Sequence, residues 1–229
     1  MPGFKLFFGT QVFVLCAGLL VVSAHGENLK PGENLKASAA GTNAPSPIAV
    51  LSLTTELQQE TVPGFPPATR VIASAGTNQF GFRAPRGFRI DGMDPKKIVL
   101  TSTNQVTFVS LRVLRGFPPQ PPVQKKKSPG ERYRKLLLAQ HAGAKILSEF
   151  TRAVDGSEGV AFDLQWPVAG ALQSARVVFA PAAAGLLEFT LSTRPELFHG
   201  ATYKFNSLLL SFRSGKNGKL EIVPLSNKF

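Results

Sequence analysis

The sequence predicts an α+β fold, an antiparallel β-sheet meander sandwiched by helices, and the prediction rests on residues 145–213. Four runs in this stretch alternate apolar and polar residues, which is the period of a half-buried strand. Turn residues separate the runs, and Asp155 with Gly156 gives the strongest hairpin signal. The segment 196–213 instead repeats apolar residues every three or four positions, as an amphipathic helix does. We therefore expect four antiparallel strands closed by a helix.

The clearest alternation lies in the second of the four runs. One face carries Val160, Phe162, Leu164 and Trp166, and the other carries Ala161, Asp163 and Gln165. We expect the first face to be core rather than a stacking platform for a ligand.

The closing helix has recognisable start signals and one apolar stripe. Thr193 is the expected N-cap, and Pro195 is expected in the first turn. The stripe that should lie on the sheet consists of Leu197, Ala201, Phe205, Leu208 and Phe212.

The chain before the meander predicts further strands and one helix. Strands are expected at 80–84, 88–91, 98–101 and 106–114, and a helix at 131–142 that ends at Gly143. Both faces of 106–114 are partly apolar, which indicates a strand covered on both sides or one with a bulge. Residues 48–62 fit either a short strand or a loose helical piece.

The domain organisation follows from changes in composition. We predict a signal peptide at 1–24, a low-complexity linker at 25–70, an α+β domain at 71–213 and a basic tail at 214–229. Cleavage after Ala24 makes the protein exported, either periplasmic or secreted. A retained membrane anchor and a lipoprotein modified at Cys16 are the two alternatives. Cys16 is the only cysteine, so a cleaved chain forms no disulfide.

The charge balance favours anionic partners. The chain carries 26 basic and 14 acidic residues, a formal net charge of +12. Such an excess steers a protein toward anionic lipid, polyanionic glycan, nucleic acid or an acidic protein face, although it also serves solubility alone. Nucleic acid is unlikely for an exported protein, and membrane contact is expected to be peripheral unless the leader is retained.

The candidate site for an anion or a partner is a run of cations around a proline-rich loop at 116–129, where no regular element fits. Arg112 and Arg115 precede this loop, and Arg83, Arg86 and Arg89 form a second group. A solvated loop without a partner is the alternative reading. The residues of the candidate site are Lys125, Lys126, Lys127, Arg132, Arg134 and Lys135.

No recognisable catalytic motif is present, so the sequence favours a protein that is not an enzyme, and we expect no cofactor. None of His25, His141 and His199 has a second ligand at metal spacing, so no metal site is expected. His141 is expected at a helix C-terminus, where a charged imidazole is favoured. The carboxylate pairs Asp155 with Glu158 and Asp91 with Asp94 are interpreted as turn residues.

The order of elements resembles the PsbP-like fold, a group that includes the photosystem II extrinsic protein, a Ran-binding import factor and small exported bacterial proteins without assigned activity. The resemblance covers about 80–213 and is carried by the opening strand and turn FGFRAPRGF at 80–88, the hairpin at 155–159, and YKFNSLLLSF at 203–212. It implies a sandwich around a central antiparallel sheet. It implies binding or assembly more than catalysis, and it carries over no functional residue.

Three functional hypotheses follow. The first is an exported, non-catalytic binding or scaffold domain that engages an anionic envelope or protein partner through the basic loop. The second is a hydrolase or other enzyme whose site no motif reveals. The third is a membrane-tethered assembly factor with an uncleaved leader.

Overall fold

The computed structural model describes residues 48–61, 64, 66–115, 130–215 and 219–220. Two helices and twelve strands are formed within these residues, and the predicted α+β class is confirmed. The helices are α1 (Glu131–Gln140) and α2 (Pro195–Ser211). The strands are β1 (Ala49–Val50), β2 (Thr54–Glu60), β3 (Ala68–Ala75), β4 (Asn78–Arg83), β5 (Phe88–Asp94), β6 (Lys97–Ser102), β7 (Phe108–Arg115), β8 (Lys145–Val154), β9 (Ser157–Val168), β10 (Ala171–Ala182), β11 (Gly185–Thr193) and β12 (Arg213–Ser214).

The larger sheet contains the predicted meander. Its strand order is β5-β6-β7-β11-β10-β9-β8, every neighbouring pair is antiparallel, and β1 pairs with β7. The turn between β8 and β9 has φ values of 49° at Asp155 and 78° at Gly156, as a two-residue type I′ hairpin requires. The four predicted strands of 145–193 are therefore confirmed, and β7 lies beside the last of them.

The smaller sheet has the order β12-β4-β3-β2 and is also antiparallel. Its strand β2 lies inside the segment predicted as linker, and Leu53, just before β2, is buried in the core. The predicted domain boundary at residue 71 is therefore too late. Residues 54–60 are mostly polar because both faces of this edge strand are largely exposed. They therefore lack the apolar alternation that predicts a strand. The predicted leader, the linker residues 25–47 and the loop 116–129 lie outside the described residues.

Both faces of the larger sheet are covered. On one face, α2 and residues of the smaller sheet share one buried cluster with β7, β9, β10 and β11. The Phe212 ring joins these layers, with its centroid 5.6 Å from that of Phe80 and 5.2 Å from that of Phe189. On the other face, α1 buries Tyr133 and Leu137 against the sheet. The partners of α1 in this second cluster include Phe162, Leu164, Val177 and Phe179.

The apolar face predicted for β9 is confirmed as core. Phe162 and Leu164 are fully buried, and Val160 and Trp166 pack against the same cluster. This face lies under α1, whereas α2 covers the opposite face, where Ala161 and Val178 are buried. The sheet is therefore apolar on both sides in its centre, as strands sandwiched between two layers must be.

Two predicted details of α2 are wrong. Thr193 does not cap the helix, because Arg194 occupies the N-cap position without a side-chain hydrogen bond. The Thr193 hydroxyl, at the end of β11, instead lies 2.8 Å from the hydroxyl of Thr107, the residue before β7. Leu197 is 37% exposed, and Phe198 packs against the core instead. The other four residues of the predicted stripe, Ala201, Phe205, Leu208 and Phe212, are buried as expected. Thr202 and Leu209 are buried beside them.

Candidate binding surface

The N-terminal end of α1 is locked against the sheet by Glu149. Gly130, the residue before α1, is buried, and a Cβ at that position would overlap the Glu149 carboxylate and touch the Phe162 ring. Glu149 also accepts a hydrogen bond of 2.7 Å from Nη2 of Arg134. A carboxylate beside the first turn of a helix is favoured by the helix dipole. Glycine at 130 and glutamate at 149 together fix the point where the chain leaves the loop 116–129.

The C-terminal end of α1 is tied to the sheet by a second carboxylate. Arg112 on β7 donates two hydrogen bonds of 2.8 Å, from Nε and Nη2, to the two carboxylate oxygens of Glu188 on β11. The same Nη2 lies 3.0 Å from Oε1 of Gln140 in the last turn of α1. Glu188 is only 5% exposed, and burial raises its pKa, while Arg112 acts in the opposite direction. Arg112 is therefore a bridge between the sheet and the helix.

His141 follows α1 and lies against Trp166. The two rings are tilted by 32° with centroids 4.3 Å apart. Burial lowers the pKa of His141, and the positive charge of Arg112 lowers it further. The predicted benefit of a charged imidazole at this helix end is thus outweighed, because the site is partly desolvated and already holds a cation. Trp166 is only half-buried, since it lies at the margin of the core.

The cations of the predicted site fall into three groups. Lys125, Lys126 and Lys127 lie outside the described residues. Arg134 and Lys135 are on α1 and are both paired with acids, Arg134 with Glu149 and Lys135 with Glu131 at 3.3 Å. The Arg132 guanidinium carbon lies 5.9 Å from the centroid of the neighbouring Tyr133 ring. The helix end of the predicted site is therefore less positive than the sequence indicates.

The second predicted basic group is also partly neutralised. Arg83 pairs with Glu60 at 2.6 Å, and Arg89 pairs with Asp91 at 2.9 Å. Arg86 is exposed and makes no ion pair with the described residues. Exposed ion pairs contribute little to stability, but they do remove net charge from the surface.

Of the carboxylates interpreted as turn residues, Asp155 lies in the β8–β9 turn and Asp94 ends β5, whereas Asp91 and Glu158 lie within strands β5 and β9. Asp155 accepts a 2.7 Å hydrogen bond from the backbone N–H of Ser214. Asp94 accepts one of 2.9 Å from the backbone N–H of Lys96. Asp91 is engaged by Arg89. Each of these aspartates therefore has a structural role.

Sequence reasoning missed a partly buried ion pair on the α2 side of the sheet. Arg176 donates hydrogen bonds of 2.7 and 2.8 Å to the two oxygens of Asp163. Its guanidinium carbon also lies 4.9 Å from the centroid of the Phe150 ring and 5.7 Å from that of Phe198. The signal was available, because Asp163 and Arg176 are equally far from the turn residues Ala169 and Gly170. A hairpin closed at that turn places them opposite each other.

A cavity of about 250 Å³ lies between the β8–β9 hairpin and the end of α2. It is lined by Ala153, Asp155, Gly156, Leu209, Leu210 and Arg213. The Arg213 guanidinium donates through Nη1 to the carbonyl oxygens of Leu210 and Phe212, at 2.9 and 2.6 Å. Arg213 therefore satisfies carbonyls at the C-terminal end of α2, where a helix lacks internal donors.

The described part of the chain lacks two further features. His, Asp and Glu side chains there do not gather into a group of three that would hold a metal ion. Neither described helix has the length and apolar character required to cross a bilayer.

Comparison with known proteins gives similarity of fold only. No family model matches the chain, and no curated protein matches it. Among solved structures, the chain is similar to the cyanobacterial PsbP protein CyanoP from Synechocystis sp. PCC 6803, with 16% identity, a TM-score of 0.41, and coverage of 72% of this chain and 94% of that one. A PsbP protein, the group that the sequence resembles, is thus among the solved structures to which the chain is similar.

Two other solved structures are similar in the same way. PA94 from Pseudomonas aeruginosa, a protein of unknown function described as a putative regulator, has 19% identity and a TM-score of 0.34, with coverage of 67% of this chain and 96% of that one. LpqN of Mycobacterium tuberculosis, involved in cell envelope biogenesis, has 10% identity and a TM-score of 0.32, with coverage of 71% and 91%. At TM-scores below 0.5 these likenesses carry no argument about partner or activity.

Proposed function

We propose that this protein is an exported, non-catalytic binding domain that engages an anionic partner at the cell envelope through the basic loop 116–129. The loop holds Lys125, Lys126 and Lys127 and contains no acidic residue. It runs from Arg115, the exposed last residue of β7, to Gly130 at the start of α1.

One observation supports this proposal most strongly, namely that the acids near both ends of α1 are already committed to cations. Glu131 is paired with Lys135, Glu149 with Arg134, and Glu188 with Arg112. Each of these acids therefore already has a cationic partner on α1 or the sheet. We therefore expect the positive charge of the three lysines to attract an external anion.

The anchoring of α1 makes the loop suitable for binding. Tyr133 stacks on Phe179 with ring centroids 4.7 Å apart, and the helix is tied down near both termini. Both ends of the loop are therefore attached to a fixed scaffold, which reduces the conformational freedom lost on binding. Each lysine close to an anionic surface contributes about 1 kcal/mol.

Export is the second part of the proposal and rests on residues 1–24. Their short positive start, apolar run and small residues before position 25 are typical of a cleaved leader. Mass spectrometry of the mature N-terminus tests it. We expect the chain to begin at about His25, and an intact Met1 on the exported protein contradicts cleavage.

The binding proposal is tested with a soluble polyanion, immobilised heparin, as the probe. The test variant is Lys125→Ala/Lys126→Ala/Lys127→Ala. The control, Lys96→Ala/Lys97→Ala/Lys204→Ala, removes the same charge from exposed positions outside both predicted basic groups. We expect the test variant to elute at a clearly lower salt concentration than both the wild type and the control.

The comparison between the two variants decides the outcome. Equal elution of test and control variants means that the chain binds by net charge alone, and this contradicts a site at the loop. Circular dichroism of both variants verifies that the fold is retained.

A further inference from the structure

The β9–β10 hairpin extends beyond the rest of the larger sheet. The pairing of β8 with β9 reaches only Gln165, and the pairing of β11 with β10 reaches only Ser174. Residues 166–173 therefore pair only with one another, as Trp166 with Gln173, Pro167 with Leu172 and Val168 with Ala171. We call residues 166–173 the arm, and at the usual strand rise its length beyond the sheet is roughly 13 Å.

The exposed surface of the arm is apolar and uncharged. Val168 is 47% exposed and Leu172 is 48% exposed. Pro167, Ala169 and Ala171 are exposed as well. No charged residue occurs in 164–175, and the charged residues on either side, Asp163 and Arg176, are paired with each other. Single exposed apolar residues are ordinary, but an uncharged apolar projection indicates a contact surface.

The turn at the tip retains an alanine in an unfavourable conformation. Ala169 has a φ of 47° and Gly170 a φ of 82°, so both residues are left-handed, as in a type I′ turn. Asparagine, aspartate and glycine are the usual residues at the first of these positions, because a Cβ disfavours the left-handed region. Asparagine or aspartate would relieve this cost and would make the tip polar. The alanine keeps the tip apolar instead.

The base of the arm carries an indole and two cations. Trp166 is half-buried and its ring lies against His141. Lys145, exposed, is opposite Gln165 at the start of β8, and Arg194, exposed, directly follows the end of β11. Exposed Glu196 lies two residues further on, so the local net charge remains positive. This is the pattern of a segment that enters the headgroup region of an anionic membrane: an apolar tip, with a tryptophan and cations at its base.

We propose that the arm inserts its apolar tip into the interface of a bilayer containing anionic lipid. This inference rests on the proposed function, because it identifies lipid as the anionic partner of the basic loop. Charge complementarity favours this occupant over a second copy, since two chains of net charge +12 repel each other while an anionic membrane attracts each of them.

The chain supplies its own probe for the test. Trp166 is the only tryptophan, so its emission reports on the base of the arm directly. The full chain without residues 1–24 is titrated with vesicles of phosphatidylglycerol and phosphatidylcholine and, separately, with phosphatidylcholine alone. We expect a blue shift with the anionic vesicles, and quenching when the lipid is brominated near the headgroup. The absence of both effects overturns the inference.

Variants locate the effect on the arm. Val168→Ser/Leu172→Ser is expected to weaken binding to the anionic vesicles by about tenfold or more. The control Leu57→Ser/Leu210→Ser alters residues that are 45% and 69% exposed elsewhere and is expected to bind like the wild type. A second arm variant, Val168→Phe/Leu172→Phe, is expected to bind at least as tightly as the wild type. Equal binding by all four proteins overturns the inference.

The failures of the two proposals are distinguishable. Retention on heparin that depends on the three lysines, without vesicle binding, overturns the arm inference and leaves the proposed function standing. Vesicle binding that needs the arm but not the lysines supports the inference and contradicts the proposed function. Sedimentation velocity without lipid completes the test. A dimer that the arm serines abolish identifies a second copy as the occupant and overturns the inference.

Discussion

Arg112 and Glu188 lie directly opposite each other on neighbouring strands and are joined by two hydrogen bonds of 2.8 Å. The carboxylate is buried, whereas the arginine side chain is 29% exposed and reaches Gln140 at the end of α1. The pair therefore connects the centre of the sheet to the helix that leads out of the basic loop.

Removal of the arginine should be costly, because it leaves a buried carboxylate without its cation. We expect Arg112→Ala to lower the free energy of unfolding by about 2–3 kcal/mol near neutral pH. Arg134→Ala, which breaks a more exposed pair with Glu149, is expected to lower it by less than about 1 kcal/mol. Urea unfolding of both variants checks this. Equal losses would mean that burial of Glu188 does not matter.

The pH dependence of stability should reveal the lowered pKa of His141. Its pKa is lowered in the folded state, so below the unfolded value of about 6.5 the unfolded chain binds a proton that the folded chain does not. The stabilisation is present above that pH and is lost as the pH falls toward the folded pKa. Arg112 and Trp166 face the imidazole, and the raised pKa of Glu188 acts in the opposite sense.

The comparison with His141→Gln isolates the histidine, since Glu188 remains in both proteins. We expect the wild type to lose more stability than the variant between about pH 8 and about pH 5, with a limiting slope of about 1.4 kcal/mol per pH unit. Urea unfolding at several pH values provides the data. A variant that loses as much as the wild type would show that His141 titrates normally.

Two glycines should respond to alanine in opposite directions. Gly130→Ala brings a Cβ into the Glu149 carboxylate and is expected to destabilise the protein by about 1–3 kcal/mol. Gly200→Ala lies in α2, meets nothing within 4 Å and is expected to stabilise it by about 0.5–1 kcal/mol. Thermal unfolding measures both. A neutral Gly130→Ala would contradict the close approach of α1 to β8.

A polar residue at the tip of the arm should increase the stability of the hairpin. Asparagine accepts a left-handed backbone better than alanine does, so Ala169→Asn is expected to stabilise the hairpin by roughly 0.5 kcal/mol. The midpoint of urea unfolding should rise without a change in the m-value. Ala169→Val, a β-branched residue in the same conformation, serves as the contrasting control and should destabilise the protein. Equal stability of the two variants would contradict the left-handed turn.

Much of the fold was predictable because its contacts are local in sequence. The four strands from β8 to β11 follow one another through short turns, so alternation and turn residues define them and their register. The same reasoning would have found Asp163 opposite Arg176. The long apolar repeat of α2 predicted a helix and most of its inward face, although Leu197 is exposed and Phe198 packs against the core instead.

The remaining features depend on contacts between distant parts of the chain. Glu188 reads as a solvent-facing residue of an alternating strand, and only the pairing of β11 with β7 brings Arg112 to it. Likewise, β2 has little apolar character, and its partner β3 is what makes it a strand. The charge of α1 was overestimated, because the pairing of Arg134 with Glu149 depends on how the helix sits on β8.

The central claim is that positive charge in the loop 116–129 carries binding, and its most direct test is the salt dependence of affinity for soluble heparin. The logarithm of the association constant falls linearly with the logarithm of salt concentration, and the slope counts the cations engaged. We predict that Lys125→Ala/Lys126→Ala/Lys127→Ala makes this slope shallower by about two units, whereas Lys96→Ala/Lys97→Ala/Lys204→Ala leaves it nearly unchanged. Equal slopes for the wild type and the loop variant would contradict the account.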